Sequence, residues 1–403
     1  MRKEYPRLAL FPCVYHEVDG VAKTAREFEA FAHRRGLPLL IVHAGPRDDV
    51  TTDGSVTHIE LRRSPATFPL DRAHQFDLLF WTLYRKLEPL VRTFRPDVVH
   101  ITGPSDVGML GALMAYKLGI PLAASWQTNV HQYARSRAAA ALSFLPRPIT
   151  AKLLDGVERS SFRAAARFYK IPRLLFAPNQ EIIQSLERAT GKPCFLMSHA
   201  VDTAVFNPEL RNRRGGPFRI GYVGRLTAEK NVRLLARLEE ALLAMGHREF
   251  RIVVVGEGAE EKWLRSHLSQ ADFTGVLRGP DLSQAYANFD LLAFPSETDT
   301  FGLVVLEAFA SGVPAVVAGG GGPKYTVRHG HTGYVAYNFD QFVAFTATLL
   351  TQPDLLSAMR LAARQQALAS SWDRIFEGIY EAYENGLLPA AVPSHSDFNV
   401  ATT

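Results

Sequence analysis

Cysteine is scarce in this sequence: Cys13 and Cys194 are the only two among 403 residues. Their spacing suits neither a zinc motif nor a disulfide framework, so we interpret both as packing residues. Long apolar runs are also missing, and no stretch approaches the roughly 18 consecutive apolar residues of a membrane span. The amino terminus turns polar after a very short apolar run, which favours a first strand over a secretory signal. We therefore expect a cytoplasmic protein.

Several cofactor signatures are missing as well. There is no P-loop, and Gly256 and Gly258 follow a strand without the third glycine of the dinucleotide fingerprint, which disfavours a nicotinamide enzyme. No Asp-x-Asp motif is present to hold a divalent ion. We expect no bound cofactor, no metal ligands among the site residues and no nucleic-acid partner.

The composition is that of a globular protein, with 47% hydrophobic and 21% charged residues. A chain of this length is too long for one ordinary core, so two domains are expected. Charge is uneven: residues 1–206 carry 27 Lys+Arg against 19 Asp+Glu, and the second half is slightly acidic. Basic residues are densest in 135–173, which predicts peripheral contact with an anionic membrane, at its inner face; a solvated helical surface is an equally good interpretation.

Apolar runs of strand length alternate with helical-period segments, which predicts parallel sheets covered by helices on both faces. Strands are expected at Leu8–Pro12, Leu39–His43, Val98–Thr102, Leu122–Ser125, Leu174–Pro178, Cys194–Met197, Arg219–Val223, Arg251–Val255, Leu291–Phe294 and Val313–Val317. The polar, Gly- and Pro-rich run 207–217 suits a linker. We assign 1–206 to a first domain, 207–370 to a second, 371–388 to a helix crossing back to the first, and 389–403 to a tail.

The first motif with chemical potential is the run from Gly221 to Asn231, in which a strand enters a glycine turn at Gly224. We expect Thr227 to cap a helix there, with Arg225 and Lys230 beside its start. A lysine in a first helical turn opposes the helix dipole, so a nearby anion such as a diphosphate would explain it. The alternative is surface pairing of these cations with Glu229.

A second motif spans Phe294–Pro314. The helix expected from Gly302 is apolar nearly all round and must be buried, yet Glu307 lies in its middle. A buried carboxylate needs a partner, which is either a ligand hydroxyl or a cation such as an arginine. Asp299 precedes it in the loop at the carboxyl end of a strand, where doubly wound sheets bind ligands.

A third motif is the run of four glycines before Pro323. Glycines leave backbone N–H groups free to approach a phosphate, and the helix opened by the proline points its positive end there. A Gly-rich turn alone is a weak signal. It gains weight only from the two motifs before it.

In this order the three motifs resemble the carboxy-terminal domain of family 4 glycosyltransferases, whose GT-B fold has two Rossmann-like domains facing across a cleft. The resemblance implies that Glu307 binds the donor ribose and that Arg225 and Lys230 bind the diphosphate. It further implies that Asp299 holds a donor-sugar hydroxyl. The remaining donor-binding candidates are Gly20, Gly224, Phe301, Gly302 and Leu303.

The first half is similar to the same family through the segment Asp19–Thr24, the loop that contains Gln127 and the segment His199–Phe206. Within the family, the look is nearest to glycolipid-forming members, such as sulfoquinovosyl-diacylglycerol synthases and lipid mannosyltransferases. Gln127 stands where the family usually has His, and Gln cannot carry a proton at neutral pH; His131 would be the substitute. His16 and His43 are interpreted as ordinary polar residues near strand ends.

The resemblance implies a metal-independent, retaining transfer of a hexose, α-mannosyl or α-glucosyl, from a nucleotide diphosphate sugar to an acceptor hydroxyl, with a membrane lipid or glycolipid as one acceptor class. Gln127 and Asp299 also leave open a catalytically weak nucleotide-sugar-binding subunit of a larger assembly. A third alternative is another GT-B enzyme, such as an epimerase or a phosphorylase. The motifs leave the donor base, the sugar and the acceptor undetermined.

Overall fold

The structure is a computed structural model that describes residues 5–16, 20–69, 75–127 and 147–387, with side chains of the long helix after 147 described from residue 153. Its strands are β1 Leu8–Phe11, β2 Leu39–Gly45, β3 Asp49–Asp53, β4 Val56–Arg62, β5 Thr67–Pro69, β6 Gln75–Asp77, β7 Val98–Ile101, β8 Leu122–Ser125, β9 Leu174–Ala177, β10 Cys194–Leu196, β11 Phe218–Val223, β12 Phe250–Val255, β13 Ala271–Gly275, β14 Leu291–Phe294, β15 Ala315–Ala318 and β16 Gly333–Ala336.

Helices follow most of these strands. They are α1 Gly20–Arg35, α2 Tyr84–Phe94, α3 Asp106–Leu118, α4 Arg147–Phe168, α5 Gln180–Thr190, α6 Leu234–Ala244, α7 Glu261–His267, α8 Gly279–Ala287, α9 Leu303–Ala310, α10 Pro323–Thr326, α11 Phe339–Thr351, α12 Pro353–Ala369 and α13 Trp372–Gly386. Short 3₁₀ turns lie at Phe80–Leu83, Pro208–Leu210 and Ala228–Lys230.

The first sheet has eight strands in the order β10-β9-β8-β7-β1-β2-β4-β3. Its pairs are parallel except for β3 and β4, which form an antiparallel hairpin. Strand order reverses on either side of β1, which lies between β7 and β2. The central strands β1, β7 and β8 are buried along their whole length, as expected for strands covered on both faces.

The second sheet has six strands, all parallel, in the order β13-β12-β11-β14-β15-β16. Here the order reverses at β11, which pairs with β12 on one side and β14 on the other. Apolar residues of this sheet and its helices form a core separate from that of the first sheet. Two doubly wound, Rossmann-like units are therefore present, as the alternating pattern predicts.

The ten predicted strands are all present, with ends that differ by up to two residues. Two ends differ by two residues: β2 extends to Gly45, and β15 begins at Ala315 rather than Val313, after Pro314, which has no N–H to donate. The prediction missed β3, β4, β5, β6, β13 and β16. The last two are edge strands, and β13 alternates between half-buried and exposed residues, so it lacks a continuous apolar run.

The run 207–217 connects the sheets but is fixed to the second one. Arg211 and Arg213 both pair with the carboxylate of Asp290, at 2.7 and 3.0 Å. Beyond α12, α13 returns to the first sheet: its Asp373 accepts from Arg34 of α1 at 2.5 Å, and Phe376 packs on Phe28. Among the helices of the described ranges, none has both the length and the hydropathy needed to cross a membrane.

Candidate active site between the two sheets

The candidate residues of the second unit lie at its topological switch point, the place beside β11 where the order of the strands reverses. The loop after β11 contains Gly224 and Lys230, and the loop after β14 contains Asp299 and Gly302. These two strands are hydrogen-bonded neighbours whose flanking connections go in opposite directions, so their carboxyl ends open a crevice. Thr298 Oγ1 donates to the carbonyl of Glu229 at 3.2 Å and joins the two loops.

Lys230 and Asp299 meet across this crevice. The Lys230 ammonium lies 2.6 Å from Asp299 Oδ1, and both side chains are mostly buried. The other oxygen, Asp299 Oδ2, is buried and has no hydrogen-bond partner within the described chain. An acceptor atom left in this state is costly unless a hydroxyl or another donor binds it.

The local structure around Arg225 differs from the sequence prediction. Thr227 does not cap an α-helix: the residues after it form a 3₁₀ turn, and its hydroxyl makes no capping bond. Lys230 ends that turn, so the helix-dipole argument does not apply to it. Arg225 pairs with Glu229 at 3.5 Å, as the surface-pairing alternative proposed, and its side chain is 56% exposed.

Helix α9 is largely buried, as its apolar residues predict, and the side chain of Glu307 in its middle is 12% exposed. Its carboxylate has two partners: Tyr286 of α8 donates its hydroxyl to Oε2 at 2.9 Å, and the Lys23 ammonium lies 3.0 Å from Oε1. The cation is therefore a lysine from the first sheet's helix α1, not an arginine. Burial, reinforced by the charge of Glu307, raises the pKa of Tyr286, which keeps its hydroxyl protonated as a donor.

Gly20 and Lys23 lie in the first turn of α1, which contains no acidic residue. A Cβ at Gly20 would lie 3.1 Å from Leu303 Cδ1, so glycine permits close approach of α1 to the start of α9. Asp19, which precedes Gly20 in the same sequence motif, lies outside the described residues. Lys23, rather than Lys230, is the lysine that opposes the dipole of a helix, and the nearby anion that explains its position is Glu307.

The glycine run before α10 is only partly available for a ligand. Gly322 N–H donates to the carbonyl of Asp299 at 2.6 Å, and Gly319 N–H donates to Ala336. A Cβ at Gly322 would collide with the carbonyl of Thr300, so this glycine serves the close packing of two loops. The prediction that all four glycines present free N–H groups is wrong for these two.

The loop after β8 reaches the same place from the first sheet. Thr300 Oγ1 donates to the backbone carbonyl of Gln127 at 2.9 Å, and Asn179 donates to the Thr300 carbonyl at 2.8 Å. The Gln127 side chain donates to Ser125 Oγ at 3.1 Å, while its Oε1 is buried without a partner in the described ranges. His131, considered as a substitute for the missing histidine, lies outside the described residues.

Phe301 is covered by a histidine of the first half. The His199 ring lies 4.5 Å from the Phe301 ring, centroid to centroid, and is 9% exposed. Burial, and then the nearby Lys23 charge, lowers the pKa of His199 to about 4, so the ring is neutral at pH 7.

The structure thus brings most predicted residues into one place. Lys230 contacts Asp299 in the loop after β14, and that loop continues through Phe301 and Gly302 to Leu303 at the start of α9. Glu307 contacts the first turn of α1, which contains Gly20. Lys23, Tyr286, Asn179 and Thr300 were missed as functional candidates. Lys23 alone carried a signal in sequence, because it is a lysine in a first helical turn that contains no acidic residue.

Such a crevice can bind a charged ligand with hydroxyl groups. Its lysines and arginine suit a diphosphate, its two carboxylates suit sugar hydroxyls, and α9 directs its first N–H groups toward the loop that contains Asp299. Basic residues of α4 and of the segment after it are on the exposed surface: Arg159, Arg163, Arg167, Lys170 and Arg173. Residues 135–146 of that basic segment lie outside the described ranges.

Comparison with known proteins identifies related sugar transferases. Residues 18–205 match the family described as Glycosyltransferase Family 4, and residues 207–366 match Glycosyl transferases group 1. A GDP-mannose-dependent alpha-mannosyltransferase of Mycobacterium tuberculosis is 33% identical over 75% of this chain and 76% of its own. Sulfoquinovosyl transferase SQD2 of Arabidopsis thaliana is 28% identical over 91% of this chain and 71% of its own.

Among solved structures, sucrose-phosphate synthase of Thermosynechococcus elongatus superimposes with a TM-score of 0.72 at 17% identity, over 94% of this chain and 98% of its own. Two Rossmann-like units with the crevice between them define the GT-B class of transferase. The chain belongs to the family 4 glycosyltransferases and is a hexosyltransferase of the kind that includes mannosyl and sulfoquinovosyl transferases.

Proposed function

We propose that this enzyme transfers a hexose from a nucleotide diphosphate sugar to an acceptor hydroxyl with retention of anomeric configuration. One observation carries the proposal: Asp299 and Glu307, the two carboxylates of one loop and helix, each bind a lysine at the switch point of the second sheet. Carboxylates held in this way can bind the sugar and ribose hydroxyls, while the lysines face the diphosphate.

The reaction separates charge. As the bond between the anomeric carbon and the leaving phosphate oxygen breaks, positive charge develops on the sugar and negative charge on the diphosphate. Lys230, Arg225 and the N–H groups at the start of α9 would stabilise the diphosphate without a divalent ion. The acceptor oxygen forms the new bond on the face that the phosphate leaves, and the acceptor proton passes to the departing phosphate oxygen.

For the donor, we propose GDP-mannose, because two relatives that are 31% and 33% identical over 73% and 75% of the chain are named as GDP-mannose-dependent alpha-mannosyltransferases. For the acceptor, we propose a membrane lipid or glycolipid, bound from the side of Gly20 and Gln127. The exposed basic residues of α4 favour contact with an anionic membrane, since surface lysines and arginines are attracted to anionic lipid.

Donor choice can be tested by thermal shift with GDP, UDP and ADP sugars, because a ligand at 100 times its dissociation constant stabilises a protein by about 2.7 kcal/mol. GDP-mannose should give the largest shift. An Arg225→Ala variant should remain folded and lose much of the shift. A larger shift with a uridine or adenosine sugar would overturn the donor assignment.

Transfer itself is tested with radiolabelled donor and vesicles that contain a glycolipid acceptor. Label should enter the organic phase, and nuclear magnetic resonance of the product should show the α anomer. Donor binding without transfer or hydrolysis would instead favour a nucleotide-sugar-binding subunit. That candidate is favoured by Gln127, whose amide donates to Ser125 and cannot carry a proton.

A further inference from the structure

We propose that His16, His43 and Glu60 bind a divalent transition-metal ion, with Zn²⁺ the best match, at the carboxyl end of β2 in the first sheet. Their candidate ligand atoms all lie within 4.8 Å of one another. None of the three belongs to the donor-binding set, so this site is independent of the proposed transfer reaction.

Two of the three ligands are strand residues, and the register of the sheet fixes their positions relative to each other. His43 of β2 and Glu60 of β4 are direct partners across the parallel strand pair, so their side chains project from the same face. A Cβ at Gly45 would collide with the Glu60 carboxylate, so glycine there leaves this carboxylate room over β2. Glu60 Oε1 accepts from Arg47 N–H at 3.1 Å, which fixes the carboxylate and leaves its second oxygen for an ion.

His43 is the buried member of the group, with 4% of its surface exposed. Its Nδ1 is buried and has no hydrogen-bond partner within the described part of the chain, although a buried polar atom normally has one. A buried imidazole nitrogen without a hydrogen-bond partner can instead coordinate a metal ion.

His16 supplies the third ligand from the segment between β1 and α1. Its ring is exposed and lies 4.8 Å from the His43 ring, edge to face. Tetrahedral zinc with Zn–N distances near 2.0–2.1 Å places ligand atoms about 3.3 Å apart, so a shift of up to about 1.5 Å in this exposed ring completes the geometry. The Tyr15 ring stacks on His43 at 4.7 Å and sets the approach of the segment.

The ligand set determines which ion it selects. Two imidazoles and one carboxylate suit Zn²⁺ and other first-row transition metals, whereas Mg²⁺ and Ca²⁺ prefer oxygen ligands. A bound ion would fasten the segment after β1 to β2 and β4. That segment leads to Gly20, which packs against Leu303 of the second unit, so the ion would stabilise the first unit's side of the crevice.

The test uses the full chain without an affinity tag, first stripped with a chelator. Equilibrium dialysis with Zn²⁺ should show one ion per chain, and Co²⁺ should give the visible absorption of a low-symmetry site with nitrogen ligands. His16→Ala and Glu60→Gln should each weaken binding at least about tenfold. These variants are preferred because His16 is exposed and Gln matches the shape of Glu; circular dichroism of the metal-free proteins checks that each remains folded.

The matched control is His33→Ala, which removes a histidine that pairs with Glu29 and Asp53 outside the proposed ligand set. It should bind Zn²⁺ like the unaltered chain. The proposal is overturned if the folded chain binds no stoichiometric Zn²⁺ at micromolar concentration. It is equally overturned if His16→Ala and Glu60→Gln bind as tightly as the unaltered chain, because the ion would then be held elsewhere.

Discussion

The Lys23 ammonium lies 3.0 Å from Glu307 Oε1 and joins the first helix of one sheet to the buried helix of the other. The Lys23 side chain is 27% exposed, whereas that of Glu307 is 12% exposed, so the pair lies at the edge of the crevice and not in either core. A ribose hydroxyl that binds Glu307 must share this carboxylate with the lysine. If Glu307 binds the ribose as proposed, donor binding is coupled to the contact between the two sheets.

Glu307→Gln is predicted to weaken donor binding about 10- to 150-fold, because a hydrogen bond to a charged group contributes about 1.5–3 kcal/mol. Ribose analogues make the test specific. In the unaltered enzyme, 2′-deoxy- or 3′-deoxy-GDP should bind more weakly than GDP, and in Glu307→Gln this difference should largely disappear. Calorimetry measures all of these affinities.

Tyr286→Phe is the companion variant, since it removes the hydroxyl that donates to Oε2 at 2.9 Å but keeps the carboxylate. It should cause a smaller loss and retain discrimination against deoxyribose. If both deoxy analogues lose as much affinity in Glu307→Gln as in the unaltered enzyme, Glu307 does not bind the ribose.

Lys230→Ala is predicted to lower kcat/KM by about 100- to 1,000-fold, the effect of removing one donor from a group that stabilises charge in the transition state. If the lysine binds the diphosphate as proposed, affinity for GDP should fall more than affinity for GMP. The control is Arg233→Ala, which removes a nearby arginine paired with Glu260. Equal losses in both variants would mean that the effect is not specific to Lys230.

Local patterns predicted the four central strands of the second sheet and the loops that contain Arg225, Lys230 and Asp299. Buried parallel strands are continuous apolar runs, and their ends place the loops at one edge, so motif and position could be deduced together. The hairpin of β3 and β4 was missed although Asp53 and Gly54 are a turn signal; its exposed β3 residues lack an apolar run.

Contacts between distant segments could not be predicted in the same way. Lys23 and Glu307 are 284 positions apart, and Tyr286 reaches Glu307 from a different helix. Sequence showed that Glu307 needs a partner, but helix packing decides which one. The cluster of His16, His43 and Glu60 has the same origin, because strand register, not spacing, brings His43 opposite Glu60.

Stability is predicted to fall as pH falls below about 6.5, partly because of His199. Burial lowers its pKa from 6.5 to about 4. Between these values the unfolded chain binds a proton that the folded chain does not, so acid favours unfolding. One such group contributes a slope of about 1.4 kcal/mol per pH unit to the free energy of unfolding, and that slope ends near the folded pKa.

His199→Gln should reduce this slope by the contribution of about one bound proton. The remaining slope comes from other buried histidines such as His100, since burial lowers the pKa of His100 to about 3. Denaturant melts at several pH values measure it. His267→Gln, on an exposed surface, should leave the slope unchanged. A His199→Gln slope identical to that of the unaltered chain would show that His199 titrates normally.

Gly20→Ala is predicted to lower kcat/KM about tenfold while leaving the free energy of unfolding unchanged or higher. Alanine is a better helix former than glycine, but its Cβ would lie 3.1 Å from Leu303 Cδ1 and press the start of α9 away from α1. Small displacements of groups that position a substrate are costly to catalysis.

Trimming the opposing side chain in Gly20→Ala/Leu303→Ala should restore much of the activity. Gly378→Ala, at a helical glycine with nothing within 4 Å of its Cβ position, is the matched control. A double variant no more active than Gly20→Ala would show that contact with Leu303 is not what limits the enzyme.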